Sequence, residues 1–188
     1  MFERFTKDAR AVVADAVGYC ERGGEERVEE AHLLLALLDR EGSRAAFALT
    51  SLGLEGRRDT VGRDLAAARR RGGLTRADAD ALAGLGIDLT EIVSRVEEAH
   101  GEGALTPGRT AGGVRRSGRR LFTRGAKDLL GQSLRLALAH GDRHIGDEHL
   151  LLALTARPGL PSEVLADHGV TFTAVERLLW GGGEAKAG

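Results

Sequence analysis

Apolar residues recur at every third or fourth position along several stretches of this 188-residue chain. Near the N-terminus they occupy positions 9, 12, 13, 16, 17 and 20, which is the spacing of one face of an amphipathic helix. The next apolar stretch, LLLALL at 33–38, has no polar face, so we expect a helix that is buried on all sides. No stretch alternates convincingly between apolar and polar residues as a half-buried strand would. The pattern predicts an all-α protein.

The same pattern occurs a second time, shifted by 117 positions (from 5 to 122). FTKDARAVV at 5–13 aligns with FTRGAKDLL at 122–130, and HLLLAL at 32–37 recurs at 149–154. Thr6 and Thr123 precede the first helix of each copy and suit its N-cap, where a hydroxyl accepts a hydrogen bond from a backbone N–H. The chain is therefore interpreted as a tandem duplication.

A fourth helix of the second copy is predicted to start near 171, whereas the first copy has two candidates. One is the charged segment RRDTVGRDLAAARRR at 57–71, and the other is LTEIVSRVEEAH at 89–100, because LGL at 52–54 recurs as LGI just before it. We interpret about 54–86 as an insertion that is itself helical. The predicted organisation is a first copy over 1–100, a Gly- and Arg-rich linker over 101–121, a second copy over 122–180 and a tail over 181–188.

Composition narrows the classes of function. The formal net charge is −1, so no strong overall field favours nucleic acid or an acidic membrane. The single cysteine, Cys20, rules out a disulfide framework within the chain. The N-terminal MFERFTKDAR lacks the apolar core of a signal peptide, and no run approaches the roughly 18 apolar residues that span a bilayer. We expect a soluble protein of the cytoplasm.

The quoted segments resemble a known family. MFERFT, the LGIDLTEIVSRVEEAHG phrase and LFTRGAKDLLGQSLRLALAHGDRHIGDEHLLLAL together resemble the N-terminal double-repeat domain of the Clp unfoldases, closest to the ClpC type. The resemblance implies two four-helix Clp repeats about a pseudo-two-fold axis, with the extra insertion in the first. It also implies a non-enzymatic module that binds peptides, substrates or adaptors for a Clp unfoldase–protease. No phosphate-binding loop of the G-x-x-x-x-G-K-[ST] type occurs, and no cofactor is expected.

The family also implies a site for arginine-phosphorylated proteins in each repeat, formed by the threonine of the FT phrase and the glutamate before the histidine. In this sequence the second site retains Thr123 and Glu148, whereas the first retains Thr6 but has Ala31 in place of the glutamate. A glutamate suits a guanidinium, and a helix N-terminus suits a phosphate. We therefore expect asymmetric binding. The alternative role of Glu148 is that of a first-turn acid that complements the helix dipole.

A second implied surface lies between the first helices of the two repeats. There Phe2 and Phe122, with Arg10 and Lys127 beside them, resemble the family groove that binds adaptors and certain cyclic-peptide antibiotics. Exposed aromatic residues flanked by cations suit a peptide partner. The alternative is that both phenylalanines pack on their own helices as hydrophobic staples.

Other chemistry finds little support in the sequence. His32 and His149 each begin an apolar helix without further ligands at metal-binding spacing, so we expect buried histidines that bond the neighbouring loop and no metal site. No catalytic constellation is apparent. The rival function is a nucleic-acid-binding regulator that uses arginines 69–71, 115, 116, 119, 120 and 124, although the near-zero net charge and the lack of interleaved aromatic residues argue against it.

Overall fold

The computed structural model describes residues 3–74, 76–105 and 121–181. Helices make up most of this part of the chain. The first half contains α1 (Lys7–Arg22), α2 (Glu30–Leu38), α3 (Arg44–Leu49), a π-type turn (Thr50–Leu54), α4 (Arg58–Arg70), α5 (Arg76–Gly84) and α6 (Leu89–His100). The second half contains α7 (Arg124–Ala139), α8 (Asp147–Ala156), α9 (Leu160–Asp167) and α10 (Phe172–Trp180). Two strands of two residues each, β1 (Arg27–Val28) and β2 (Leu121–Phe122), complete the elements.

The first helix of each half begins at a threonine. The Thr6 hydroxyl accepts a hydrogen bond of 3.2 Å from the backbone N–H of Ala9, and the Thr123 hydroxyl accepts one of the same length from Ala126. Each bond satisfies an N–H that has no partner within its own helix. The predicted N-caps are confirmed.

The centre of the fold consists of α2 and α8, which pack against each other and against α1 and α7. Leu33, Leu34 and Leu37 of α2 are fully buried, as are Leu150 and Leu151 of α8. Burial of such a side chain contributes roughly 1.5–3 kcal/mol, so the two apolar segments supply much of the hydrophobic stabilisation. The predicted central position of both LLLAL segments is confirmed.

The two halves are tied together by backbone hydrogen bonds. The strand β1 pairs in parallel with β2, with Val28 opposite Phe122, and Phe5 forms an equivalent isolated bridge with Ile145. The backbone N–H of Thr6 donates to the Ile145 carbonyl, and that of Thr123 to the Val28 carbonyl, both at 2.9 Å. Each half therefore holds the start of the other half's first helix, which gives the pair its pseudo-two-fold character.

The fourth helix of the first half is α4, because it packs on α9 and α2 as α10 packs on α3 and α8. Its buried residues, Val61, Leu65 and Ala68, form one stripe at the spacing of a helix. The packing of α4 differs from the predicted insertion over 54–86, which included this helix. A stripe of three apolar residues among arginines is hard to distinguish by sequence from a solvent-exposed helix. The helices outside the two repeats are α5 and α6, which contact each other.

Two of the arginines that suggested a nucleic-acid site are paired within the chain. The Arg69 guanidinium contacts carboxylate oxygens of Glu25 and Glu29 at 2.7 and 3.0 Å. Arg70 contacts Glu97 at 2.7 Å. Arg69 is largely buried in its pair and Arg70 is partly neutralised by Glu97, so these two arginines give the rival function little support. Residues 115–120 lie outside the described residues.

None of the described helices has the length and apolar character needed to cross a membrane.

The cluster around Glu25 generates a stability prediction. Burial opposes ionisation of Glu25, but hydrogen bonds from His32 and Arg69 outweigh it and lower its pKa to about 2. The carboxylate then stabilises the fold above the ordinary glutamate pKa, and the effect disappears as the pH falls from about 4.5 to 2. We expect Glu25→Gln to cost roughly 1–3 kcal/mol at pH 7, measured by urea unfolding.

Glu26→Gln serves as the matched control, because Glu26 is exposed and adjacent in sequence. Its unfolding free energy should stay within about 0.5 kcal/mol of the parent. An equal loss for Glu25→Gln at pH 7 and pH 2 would contradict an ionised role for this carboxylate.

Candidate functional site

Both central helices begin with a histidine that bonds the preceding loop. His32 Nδ1 accepts from the Glu29 backbone N–H at 2.9 Å, and His149 Nδ1 accepts from the Gly146 backbone N–H at 3.0 Å. Because Nδ1 is the acceptor, the proton lies on Nε2, which faces Glu25 at 3.3 Å in one case and Asp142 at 3.1 Å in the other.

These histidines belong to the scaffold, as predicted. Burial lowers the pKa of His149, which favours the neutral ring. Glu25 and Asp142 occupy equivalent positions of the two repeats, so the duplication has retained the pair of histidine and carboxylate. Among residues 3–74, 76–105 and 121–181, no cluster of histidine, cysteine and carboxylate side chains is suited to hold a metal ion.

The structure does not bring Thr123 and Glu148 together. Thr123 caps the start of α7, whereas Glu148 lies at the start of α8, which follows the other end of α7. The 16 residues of α7 separate the two by roughly 24 Å along its axis. Thr6 lies at the Glu148 end instead, because its N–H bonds Ile145, three residues before Glu148. The threonine and the glutamate of each potential site therefore come from different repeats.

Glu148 is a buried carboxylate that is paired with an arginine of the other repeat. Its Oε1 lies 2.8 Å from Nη1 of Arg44, and its side chain is only 8% exposed. Burial raises the pKa of Glu148, although the positive charge of Arg44 opposes that shift. Beside it, Asp147 is buried with one carboxylate oxygen, Oδ2, lacking a hydrogen-bond partner. Asp147 also raises the pKa of Glu148, so a bound cation would offset the repulsion between these two neighbouring acids.

Arg44 reaches this site from α3 and remains half exposed. Its guanidinium lies 5.3 Å from the centre of the Trp180 ring, and its Nη2 is 3.5 Å from the Leu179 carbonyl oxygen. An aromatic face and a carboxylate are the surroundings that guanidinium groups favour. Sequence reasoning missed Arg44 and Trp180, since neither occupies a position with a recognisable spacing relative to Glu148.

The pseudo-symmetric place beside Thr123 has different chemistry. Ala31, in the position equivalent to Glu148, is a buried core residue. The carboxylate of the preceding residue, Glu30, lies over Gly125 in the first turn of α7, so closely that a Cβ at Gly125 would overlap it. A carboxylate at a helix N-terminus is electrostatically favourable. An internal anion thus lies where a phosphate would otherwise approach α7.

The residues of the predicted peptide groove are only partly placed by the structure. Arg10 and Lys127 are exposed on α1 and α7, and within the described ranges neither has an ion-pair partner. Phe122 is half-buried and packs against the core, and its backbone pairs with Val28. Phe2 lies outside the described residues. This surface therefore exposes two cationic side chains, Arg10 and Lys127, together with part of the Phe122 ring.

Comparison with known proteins defines the class of protein. The chain resembles several solved structures, among which are one from a malarial protein secretion system (12% identity, TM-score 0.57, covering 94% of this chain and 92% of that one) and the N-terminal domain of the chaperone ClpD from Arabidopsis thaliana (16%, 0.50, 95% and 96%). A third is the Hsp104 N-terminal domain from Candida albicans (14%, 0.50, 94% and 89%). At these identities the likeness concerns the fold alone, an all-α N-terminal domain of the Clp type.

The family itself is identified by sequence. The family model for the Clp repeat (R) N-terminal domain matches residues 4–72 and 121–182, which together make up more than half of the chain. The protein therefore belongs to the Clp repeat N-terminal domain family. The first matched segment includes α4, in agreement with its packing as the fourth helix. This family is a non-catalytic module that binds substrates or adaptors of Clp chaperones.

Proposed function

We propose that this protein is a non-enzymatic peptide- and protein-binding module that acts with a Clp unfoldase–protease in the cytoplasm. It would serve as an adaptor, a substrate-recognition domain or a decoy. Its ligands would be arginine-phosphorylated proteins at a site containing Glu148 and Thr6, and peptides at the surface that carries Arg10, Phe122 and Lys127. The observation that carries the first proposal is the buried Glu148 carboxylate, which is already paired with a guanidinium.

The chemistry of both ligand parts supports the site. A ligand guanidinium would take the place of Arg44 against Glu148, with the same charge-assisted bond. The attached phosphate would face the start of α1, where the positive helix end and the exposed Lys7 favour an anion. The Thr6 hydroxyl accepts from Ala9, which leaves its own hydrogen to donate to a phosphate oxygen.

The same reasoning disfavours the place beside Thr123. There the glutamate is replaced by Ala31, and the Glu30 carboxylate already lies at the start of α7. A phosphate at that place would meet a like charge instead of a free helix end. Thr123 therefore belongs to the weaker of the two sites, and binding in this protein is asymmetric.

The phosphoarginine proposal is tested by calorimetry. Titration of the parent with free phosphoarginine should release or absorb measurable heat, and Glu148→Gln should weaken binding about tenfold or more, because the charged partner of the guanidinium is lost. Glu163→Gln, an exposed acid on α9, is the control and should bind like the parent. Unmodified arginine tests whether the phosphate contributes.

Absence of heat with the parent would refute phosphoarginine binding by this protein. If Glu148→Gln binds phosphoarginine as tightly as the parent does, the binding site does not include Glu148. Thr6→Val and Thr123→Val then separate the two helix starts, and the larger loss is expected for Thr6→Val.

Arg44 generates a second prediction, since it competes with the ligand for Glu148. Removing this half-exposed guanidinium by Arg44→Ala should strengthen phosphoarginine binding by roughly three- to tenfold, the scale of an exposed ion pair. Arg177→Ala, an exposed arginine on α10, is the control. Weaker binding by Arg44→Ala would instead mean that Arg44 contacts the ligand phosphate. That result would contradict competition between Arg44 and the ligand for Glu148, but it would leave the Glu148→Gln result unaffected.

The peptide surface is tested with its exposed cations. Arg10→Ala combined with Lys127→Ala should reduce recovery of Clp components or peptides by the immobilised protein, because both charges would lie beside the bound chain. The pair Phe2→Ala and Phe122→Ala probes the aromatic part, with circular dichroism to verify folding, as Phe122 packs against the core. Unchanged recovery with both double variants would exclude this surface.

A further inference from the structure

The α5–α6 hairpin exposes apolar side chains that its own fold does not use. In the described part of the chain, six large apolar residues are markedly exposed, and three of them lie within 85–92. Leu85 is 78% exposed, Ile87 39% and Ile92 43%. These three residues occupy the loop between the helices and the first turn of α6, which together form the hairpin tip. Clustered exposed apolar residues mark an interaction surface far more often than scattered ones do.

The tip has a defined backbone. The N–H groups of Leu85 and Ile87 both donate to the Leu82 carbonyl, at 3.0 and 2.9 Å, and Gly86 adopts the left-handed conformation at φ 80°. Asp88 then caps α6 by accepting from Thr90 at 2.8 Å. Because the backbone of the tip is held in a turn and not extended, we expect a partner to bind here through side chains and not by adding a strand.

The hairpin is attached at its base. Arg70 at the end of α4 holds Glu97 through two bonds of 3.1 and 2.7 Å, and Glu97 also accepts from the Gly103 backbone N–H. Val93 is the buried residue of α6. The hairpin lies outside the segments matched by the family model, so its surface is an addition to the double repeat.

The charge of the hairpin specifies the chemistry of its partner. Between positions 76 and 102 the sequence has seven acids and two arginines, a formal charge of −5, although the whole chain carries only −1. The acids are Asp78, Asp80, Asp88, Glu91, Glu97, Glu98 and Glu102. An apolar tip on an acidic hairpin is complementary to apolar side chains flanked by lysine or arginine.

We propose that the tip of the α5–α6 hairpin binds a basic amphipathic helix of another protein. Leu85, Ile87 and Ile92 would pack against its apolar face, while exposed hairpin acids such as Asp80 and Glu98 attract its cations. This surface is independent of Glu148. It gives the protein a second attachment point that the double repeat alone lacks, through which it would be held to a partner while the repeats bind ligand.

The test uses a fluorescein-labelled peptide of about 18 residues, built from leucine and lysine so that its helix has one apolar and one basic face. Fluorescence anisotropy with the full chain should show binding that weakens with added salt. The variant Leu85→Ser, Ile87→Ser, Ile92→Ser should weaken binding about tenfold or more. The control variant Leu138→Ser, Leu178→Ser alters two exposed apolar residues elsewhere and should bind like the parent.

Two further comparisons identify the source of binding. Asp80→Asn with Glu98→Gln should weaken binding and reduce its salt dependence, and a peptide of leucine and glutamate should not bind. Equal binding of the basic peptide to parent and triple serine variant overturns the proposal, as does equal binding of the acidic peptide. A parent dimer in sedimentation that the triple variant abolishes assigns the tip to a second copy and also overturns it. A tenfold gain in peptide affinity when arginines 115, 116, 119 and 120 are changed to serine would also overturn the proposal. The chain's own linker would then be the segment that occupies the hairpin tip.

Discussion

The fold depends on two short backbone pairings that cross between the repeats. The N–H of Thr6 donates to the Ile145 carbonyl and the N–H of Thr123 donates to the Val28 carbonyl, so the start of each first helix is bonded to the backbone of the other repeat. In a single repeat these groups and the carbonyls opposite them would bond to water, and the net contribution of each crossed hydrogen bond, roughly 0.5–1.5 kcal/mol, would be lost. These crossed hydrogen bonds also determine which helix starts lie side by side. It sets the start of α1 beside the start of α8, and the start of α7 beside the start of α2.

The duplicated scaffold has been retained while the side chains at its two equivalent helix starts have diverged. The pairs of histidine and carboxylate, His32 with Glu25 and His149 with Asp142, are equivalent in both repeats. At the helix starts the equivalence ends. Glu148 is buried and paired with a guanidinium, whereas Ala31 carries no charge and Glu30 supplies an anion to α7. A buried carboxylate that already bonds a guanidinium is the strongest physical reason to expect a cationic ligand at only one of the two sites.

Sequence reasoning predicted the features that depend on local pattern. The buried LLLAL helices, the threonine caps and the scaffold histidines all follow from periodicity or from a residue type at a helix start, and the structure confirms them. The sequence left open whether 57–71 or 89–100 forms the fourth helix of the first repeat, because the stripe of Val61, Leu65 and Ala68 in α4 is short and surrounded by arginines. The cross-repeat arrangement and the contact between Arg44 and Glu148 depend on tertiary packing between residues about a hundred positions apart, which no spacing in the sequence reports.

We propose that a single phosphoarginine ligand contacts both repeats, at the starts of α1 and α8. Backbone amide NMR during a phosphoarginine titration tests it most directly, because each amide reports on its own helix start. We expect the amides of Thr6, Lys7 and Asp8 to shift together with those of Asp147 and Glu148, with one common dissociation constant. Shifts confined to the start of α7, from Thr123 to Ala126, would contradict it.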